Sequence, residues 1–127
     1  MASVITNLGE AWVVDRLVGS GGKSAATACY VGWGTGAGTA AKSCTALFTE
    51  ADYATAHISG TVTKAGTGSL AKWQNVATVS ATATETITNA GCFESLNGGE
   101  LYVMGDFGGI ALVSGDSITF TVSLDPA

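Results

Sequence analysis

The chain is expected to be mainly β: a single-domain antiparallel β-sandwich or jelly-roll-like barrel with a short N-terminal helix. Three observations predict this. Ser117-Ile118-Thr119-Phe120-Thr121-Val122-Ser123-Leu124 alternates hydroxyl and apolar side chains without a break, and a strand turns successive side chains to opposite faces. Trp73 to Thr84 reads the same way at greater length, with Ala77, Val79, Ala81 and Ala83 on one face and Thr78, Ser80, Thr82 and Thr84 on the other. Asn97-Gly98-Gly99 separates two further apolar segments, and Asn-Gly is the strongest short-range hairpin signal. About six or seven such segments at roughly even spacing favour a sandwich or jelly roll.

In chain order, Asn7 to Val18 is the best helix. Asn7 is placed to cap it, and Glu10 three residues on completes a capping box. Leu8, Trp12, Val13 and Leu17 recur at helical spacing as a narrow apolar stripe. Gly19-Ser20-Gly21-Gly22 ends it as a flexible joint. Residues 1–22 therefore form a helical arm and joint, and residues 27–124 the sandwich. Ala28 to Trp33 reads as a strand broken by the glycine-rich Gly34 to Gly38. Thr45 to Tyr53 is expected to make one or two helical turns with Leu47 and Phe48 facing inward. His57 to Lys64 alternates as a strand, followed by a turn at Ala65 to Ser69. Ile87 to Leu96 and Glu100 to Phe107 flank the Asn-Gly hairpin. Gly109 to Val113 is expected to pair with Ser117 to Leu124 across a tight turn at Ser114-Gly115-Asp116.

Composition limits the function. The 127 residues carry a net charge of −5, and only 12% are charged, against about 25% in ordinary soluble domains. Arg16, Lys23, Lys42, Lys64 and Lys72 form no basic stripe in sequence, which argues against nucleic acid as a partner. No apolar run approaches the roughly 20 residues of a membrane span, and Met1-Ala2-Ser3 begins no signal peptide. Cys29, Cys44 and Cys92 are odd in number and widely spaced, which suits reduced, buried thiols better than a disulfide framework.

The motifs that carry chemistry elsewhere fail here on position or context. Gly19-Ser20-Gly21-Gly22-Lys23-Ser24 approximates a phosphate-binding loop, but its first required glycine falls at Leu17 and a helix precedes it where a strand should. Gly32 to Gly38 cannot be threaded by the dinucleotide fingerprint. His57 with Cys29, Cys44 and Cys92 has the atoms of a zinc site or of a Cys-His nucleophile, yet no two cysteines are close in sequence. The carboxylates fall mostly at turns. Trp12, Trp33 and Trp73 suit core or interface anchors better than a sugar platform. No cofactor, metal or catalytic residue is assigned, and the chain is not expected to be an enzyme.

Taken in order, Val13-Val14-Asp15-Arg16-Leu17, Gly32-Trp33-Gly34-Thr35-Gly36, Thr45-Ala46-Leu47-Phe48-Thr49-Glu50, Ile87-Thr88-Asn89-Ala90-Gly91-Cys92-Phe93 and Gly115-Asp116-Ser117-Ile118-Thr119-Phe120 resemble a family of small structural proteins of tailed bacteriophages. The resemblance spans nearly the whole chain. It implies a capsid decoration (cement) protein on the outer head shell, with the major capsid protein as partner, no small-molecule substrate, and a homo-trimer as the usual form. Related text in tail-fibre and baseplate proteins makes a structural or receptor-binding tail module the alternative, with Trp33 or Trp73 as sugar-stacking residues. On this reading Val4, Ile5, Trp12 and Arg16 are the candidate partner-binding residues of the N-terminal arm. The competing reading of the same apolar stripe is that the helix plugs the open end of its own sandwich.

Overall fold

A computed structural model describes residues 2–18, 29–50, 57–95 and 99–124. Its elements are β1 (Ala2–Ile5), α1 (Asn7–Val18), β2 (Tyr30–Gly34), β3 (Ile58–Ser59), β4 (Thr61–Ala65), a 3-10 turn (Gly68–Leu70), β5 (Lys72–Ser80), β6 (Glu85–Phe93), β7 (Leu101–Leu112) and β8 (Ser117–Leu124). Two antiparallel sheets result, one ordered β1-β7-β6-β2-β3 and the other β4-β5-β8. Val31, Trp33, Ile87, Ala90, Cys92 and Leu112 of the larger sheet share one buried cluster with Ala77 and Val79 of β5 and with Ala81 just beyond it. That shared core makes the pair a β-sandwich, as its alternating strands predict.

The two sheets read differently in sequence because they are buried differently. The three-stranded sheet has one face on the core, so β8 alternates between exposed and half-buried along its whole length. The five-stranded sheet is covered twice. Ala40 and Leu47 of the loop spanning 35–50 pack with Phe93, Leu101 and Met104 on its outer face. A strand buried on both faces loses its alternation, and β6 is accordingly buried from Asn89 through Phe93.

Several expectations are corrected. Ser117 to Leu124 is a strand as read, but Gly109 to Val113 is not its hairpin partner. β8 pairs with β5 over eight residues, from Ser80↔Ser117 to Trp73↔Leu124, while β7 pairs with β6 and β1. The tight turn is a corner between sheets. Its Gly115 donates to Ala81 O at 2.9 Å and Ala81 N donates to Asp116 O at 2.7 Å, which hands the chain to the end of β5. His57 to Lys64 likewise divides into β3 and β4, in different sheets. The crossing is at Gly60, where a Cβ would lie 2.2 Å from Asn75 Oδ1; only a residue without a side chain passes there. The outward drift of Ala83, which is exposed, ends the Trp73 to Thr84 alternation early.

Residues 45–50 are not helical. Leu47 is buried and Phe48 packs beside it, as expected, but the backbone of 48–50 bonds to 34–36 instead of to itself. Thr35 N donates to Thr49 O and Gly36 N to Phe48 O, each at 2.9 Å. Asn89 completes the clamp: its Oδ1 accepts from Phe48 N and its Nδ2 donates to Phe48 O, both at 3.1 Å. The β6–β7 hairpin forms as read, closed by Glu94 N donating to Glu100 O, although Asn97 and Gly98 themselves lie outside the described residues, as does the Gly19 to Gly22 joint.

At the N-terminus, the cap is Thr6 and not Asn7. Its Oγ1 accepts from Gly9 N at 3.0 Å and donates to Leu101 O at 2.6 Å, and its own N–H donates to Tyr102 O. Glu10 pairs with Lys42 in place of a capping box. Thr6 thus ties the helix start to β7, and Trp12 ties its middle to both sheets. Trp12 stacks on Tyr102 of β7 at 4.7 Å and meets Trp73 of β5 edge-on at 5.9 Å. With β1 paired to β7, residues 2–18 are part of the sandwich. The helix thus packs on its own sandwich through Trp12.

Candidate functional site

Three places gather side chains with chemical or binding potential. The first is the thiol pair inside the sandwich. Cys29 precedes β2, and Cys92 stands opposite Val31 in β6, so both face the inner cluster. Cys29 Sγ donates to Phe93 O at 3.4 Å, and Asn75 Nδ2 donates to Cys29 O at 3.3 Å and lies 3.8 Å from Cys92 Sγ. All three cysteines are free thiols. Cys29 beside it, with burial second, pushes the Cys92 thiol well above its ordinary range. A thiol held protonated in an apolar site is a poor nucleophile.

The second is His57, buried beneath the loop side of the same sheet. Its ring lies flat on Phe93, 3.9 Å between centroids. Nδ1 is 3.0 Å from Ser95 O and Nε2 is 2.5 Å from Glu50 Oε1. Both ring nitrogens are thus engaged by oxygen atoms, one of the backbone and one of a carboxylate. The combination anchors the 35–50 loop to the end of β6.

The structure does not bring the sequence-derived nucleophile or zinc set together. Phe93, under His57, belongs to the outer cluster, whereas Cys29 and Cys92 belong to the inner one, so the backbone of β6 separates imidazole from thiols. Cys44 packs against the outer cluster. Among the described residues no group of three or more His, Cys, Asp or Glu side chains converges in a metal-holding arrangement.

The third place is an apolar cleft of about 1100 Å³ at the helix end of the sandwich. Val4, Ile5 and Trp12 line it together with Trp73, Phe120 and Leu124. Of the four residues assigned to partner binding, Ile5 and Trp12 meet here; Val4 borders the cleft but, opposite Met104, packs its side chain against the outer cluster, and the side chain of Arg16 lies outside the described residues. Trp12 is buried in its own chain, and Val4 and Ile5 are half-buried. The cleft exists because the sheets close on each other unevenly: Val79 and Ala77 are buried at one end of β5, but Trp73 at the other end is only partly covered. Sequence periodicity shows which residues face inward, and it missed this site because it does not show how far two sheets splay.

Register also defines an outward face on the smaller sheet. Directly opposed residues share a side, which groups Thr61 and Thr63 with Gln74, Val76, Thr78 and Ser80, and these with Ser117, Thr119, Thr121 and Ser123. None is charged. Thr78 and Thr119 hydroxyls bond across the strands at 2.8 Å. The described helix is not long or apolar enough to cross a membrane. Searches against protein-family models, curated proteins and solved structures found no match to this chain.

Proposed function

We propose that the chain is a structural virion protein of a tailed bacteriophage, a decoration protein that binds the outer head shell and bridges neighbouring capsomers as a homo-trimer. The observation that supports this best is the free edge of β8. It is eight residues long and carries no charge and no proline, and among the described residues β8 pairs on one side only. Exposed edges of that kind are normally guarded by Lys, Pro or a bulge because they template association. An unguarded edge beside a hydroxyl-rich face of low charge suits a surface that is covered in an assembly. Multiplicity then supplies strength, since a trimer touching several subunits gains effective concentration from modest single contacts.

The test is a thermal challenge of particles with and without the protein. Particles lacking it should release DNA at a lower temperature, and re-addition should restore them. Equal retention would remove the role. A tail-fibre or baseplate module is the second reading, and the cleft is the feature that favours it. Trp33 is fully buried and cannot stack on a sugar, so Trp73 alone of the two carries that reading.

A further inference from the structure

The charge around the cleft is one-sided. Register places Lys64 opposite Trp73, and Trp73 opposite Leu124, so Lys64 lies on the inward side of the smaller sheet with Val62, Phe120 and Val122. It is the one charged residue on that side. Lys72, the partner of Ala65 at the same end and so on the outward side by register, also borders the cleft, and no acidic residue among the described ones does. Two of the five basic residues of a chain with net charge −5 thus stand at one apolar opening. Neither lysine has an ion pair among the described residues. Trp73 adds a buried indole N–H without an acceptor among those residues, a state that proteins seldom leave uncompensated.

We propose that this cleft is a binding site for a single-chain anionic amphiphile, such as a long-chain carboxylate. Its head would sit against Lys64, with Lys72 at the rim of the sheet end, and its tail would run along Trp73, Phe120, Val122 and Leu124. The volume is that of sites which enclose lipid- or drug-sized molecules, and apolar walls with a few polar groups at one end are what such a ligand needs. The tail supplies affinity without direction. The lysines supply the preference for a negative head, because charge-assisted contacts are stronger than neutral ones. This site is independent of the assembly role and is tested on the free full-length chain.

The probe is myristate below its micelle concentration, followed by calorimetry and by quenching of tryptophan fluorescence with a brominated fatty acid. Saturable 1:1 binding is expected. Lengthening the acid from twelve to fourteen carbons should tighten it roughly fifteenfold, from about fourfold per methylene. Myristyl alcohol should bind about tenfold more weakly than myristate, and the K64Q/K72Q double variant should abolish that difference. K42Q, which removes a lysine outside the cleft, should leave it unchanged. Val122→Trp, which fills the tail path, should remove binding in a protein whose circular dichroism is unaltered. Absence of saturable binding, equal affinity for acid and alcohol, or full binding by K64Q/K72Q would each overturn the proposal. So would a dimer in sedimentation that V122W dissolves while myristate does not compete, since a second copy would then be the occupant.

Discussion

Replacing Gly9 by Ala tests whether the N-terminal helix is integral to the sandwich. A Cβ at this position would lie 2.1 Å from Tyr102 O, 2.8 Å from Tyr102 C and 2.9 Å from Ile5 Cγ1. Ordinary carbon contacts begin near 3.5 Å, so α1 must retreat from β7 by roughly an ångström or more. Retreat strains the Thr6 N–H bond to Tyr102 O and the Thr6 Oγ1 bond to Leu101 O, each worth about 1 kcal/mol. It also opens the Trp12–Tyr102 stack, worth about 0.5–1.5 kcal/mol beyond its buried area. Against these, Ala is favoured over Gly inside a helix by about 1 kcal/mol. The net expectation is a loss of about 2 kcal/mol, or roughly 8 °C in Tm for a domain of this size. Urea unfolding followed by tryptophan fluorescence and circular dichroism measures it. Gly108→Ala is the control, because nothing lies within 4 Å of a Cβ there. If G9A matches wild type to within about 0.5 kcal/mol, as G108A should, the close packing of helix on strand is refuted.

Further outcomes follow from the other sites. Asn89→Ala should cost about 2 kcal/mol and raise amide exchange at Phe48, because both arms of the Asn89 amide hold that residue's backbone; unchanged exchange would contradict the clamp. His57→Phe keeps a ring on Phe93 but leaves Ser95 O and Glu50 without its donors, and should lower stability by about 1–3 kcal/mol in a melting experiment. For Cys92 the raised folded pKa sets the sign. The native thiol keeps its proton when the unfolded one, near pH 8.5, has lost it. Its contribution is therefore complete below about pH 8.5 and declines by about 1.4 kcal/mol per pH unit above that, until the folded thiol also ionises. Urea unfolding from pH 7.5 to 10 should show this alkaline decline in wild type and a shallower one in Cys92→Ala.

Strand content was legible where one face meets water, and topology was not. β8 is read to the residue because its hydroxyl face is exposed along its length, and the β6–β7 hairpin is announced by its turn. The sheet switch at Gly60 and the corner at Gly115 are invisible to periodicity, since a strand that changes partners keeps its alternation. The loop over 35–50 was misread because Leu47 and Phe48 bury in either conformation. Its backbone bonds go to residues far away in sequence, Asn89 above all. The same limit applies to the site. Trp12 and Ile5 were identifiable as residues needing burial, but their meeting with Lys64 and Trp73 depends on β1 joining β7 and on the splay of two sheets.

The central claim, that this sandwich works by covering neighbours in a virion, is most directly tested by imaging the particle and locating this chain in the density. On the order of hundreds of copies on the outer head shell, with the β8 edge and its hydroxyl-rich face against a neighbouring subunit, is the predicted result. A few copies confined to the tail, or a head-bound chain whose β8 edge stands free in solvent, would contradict it.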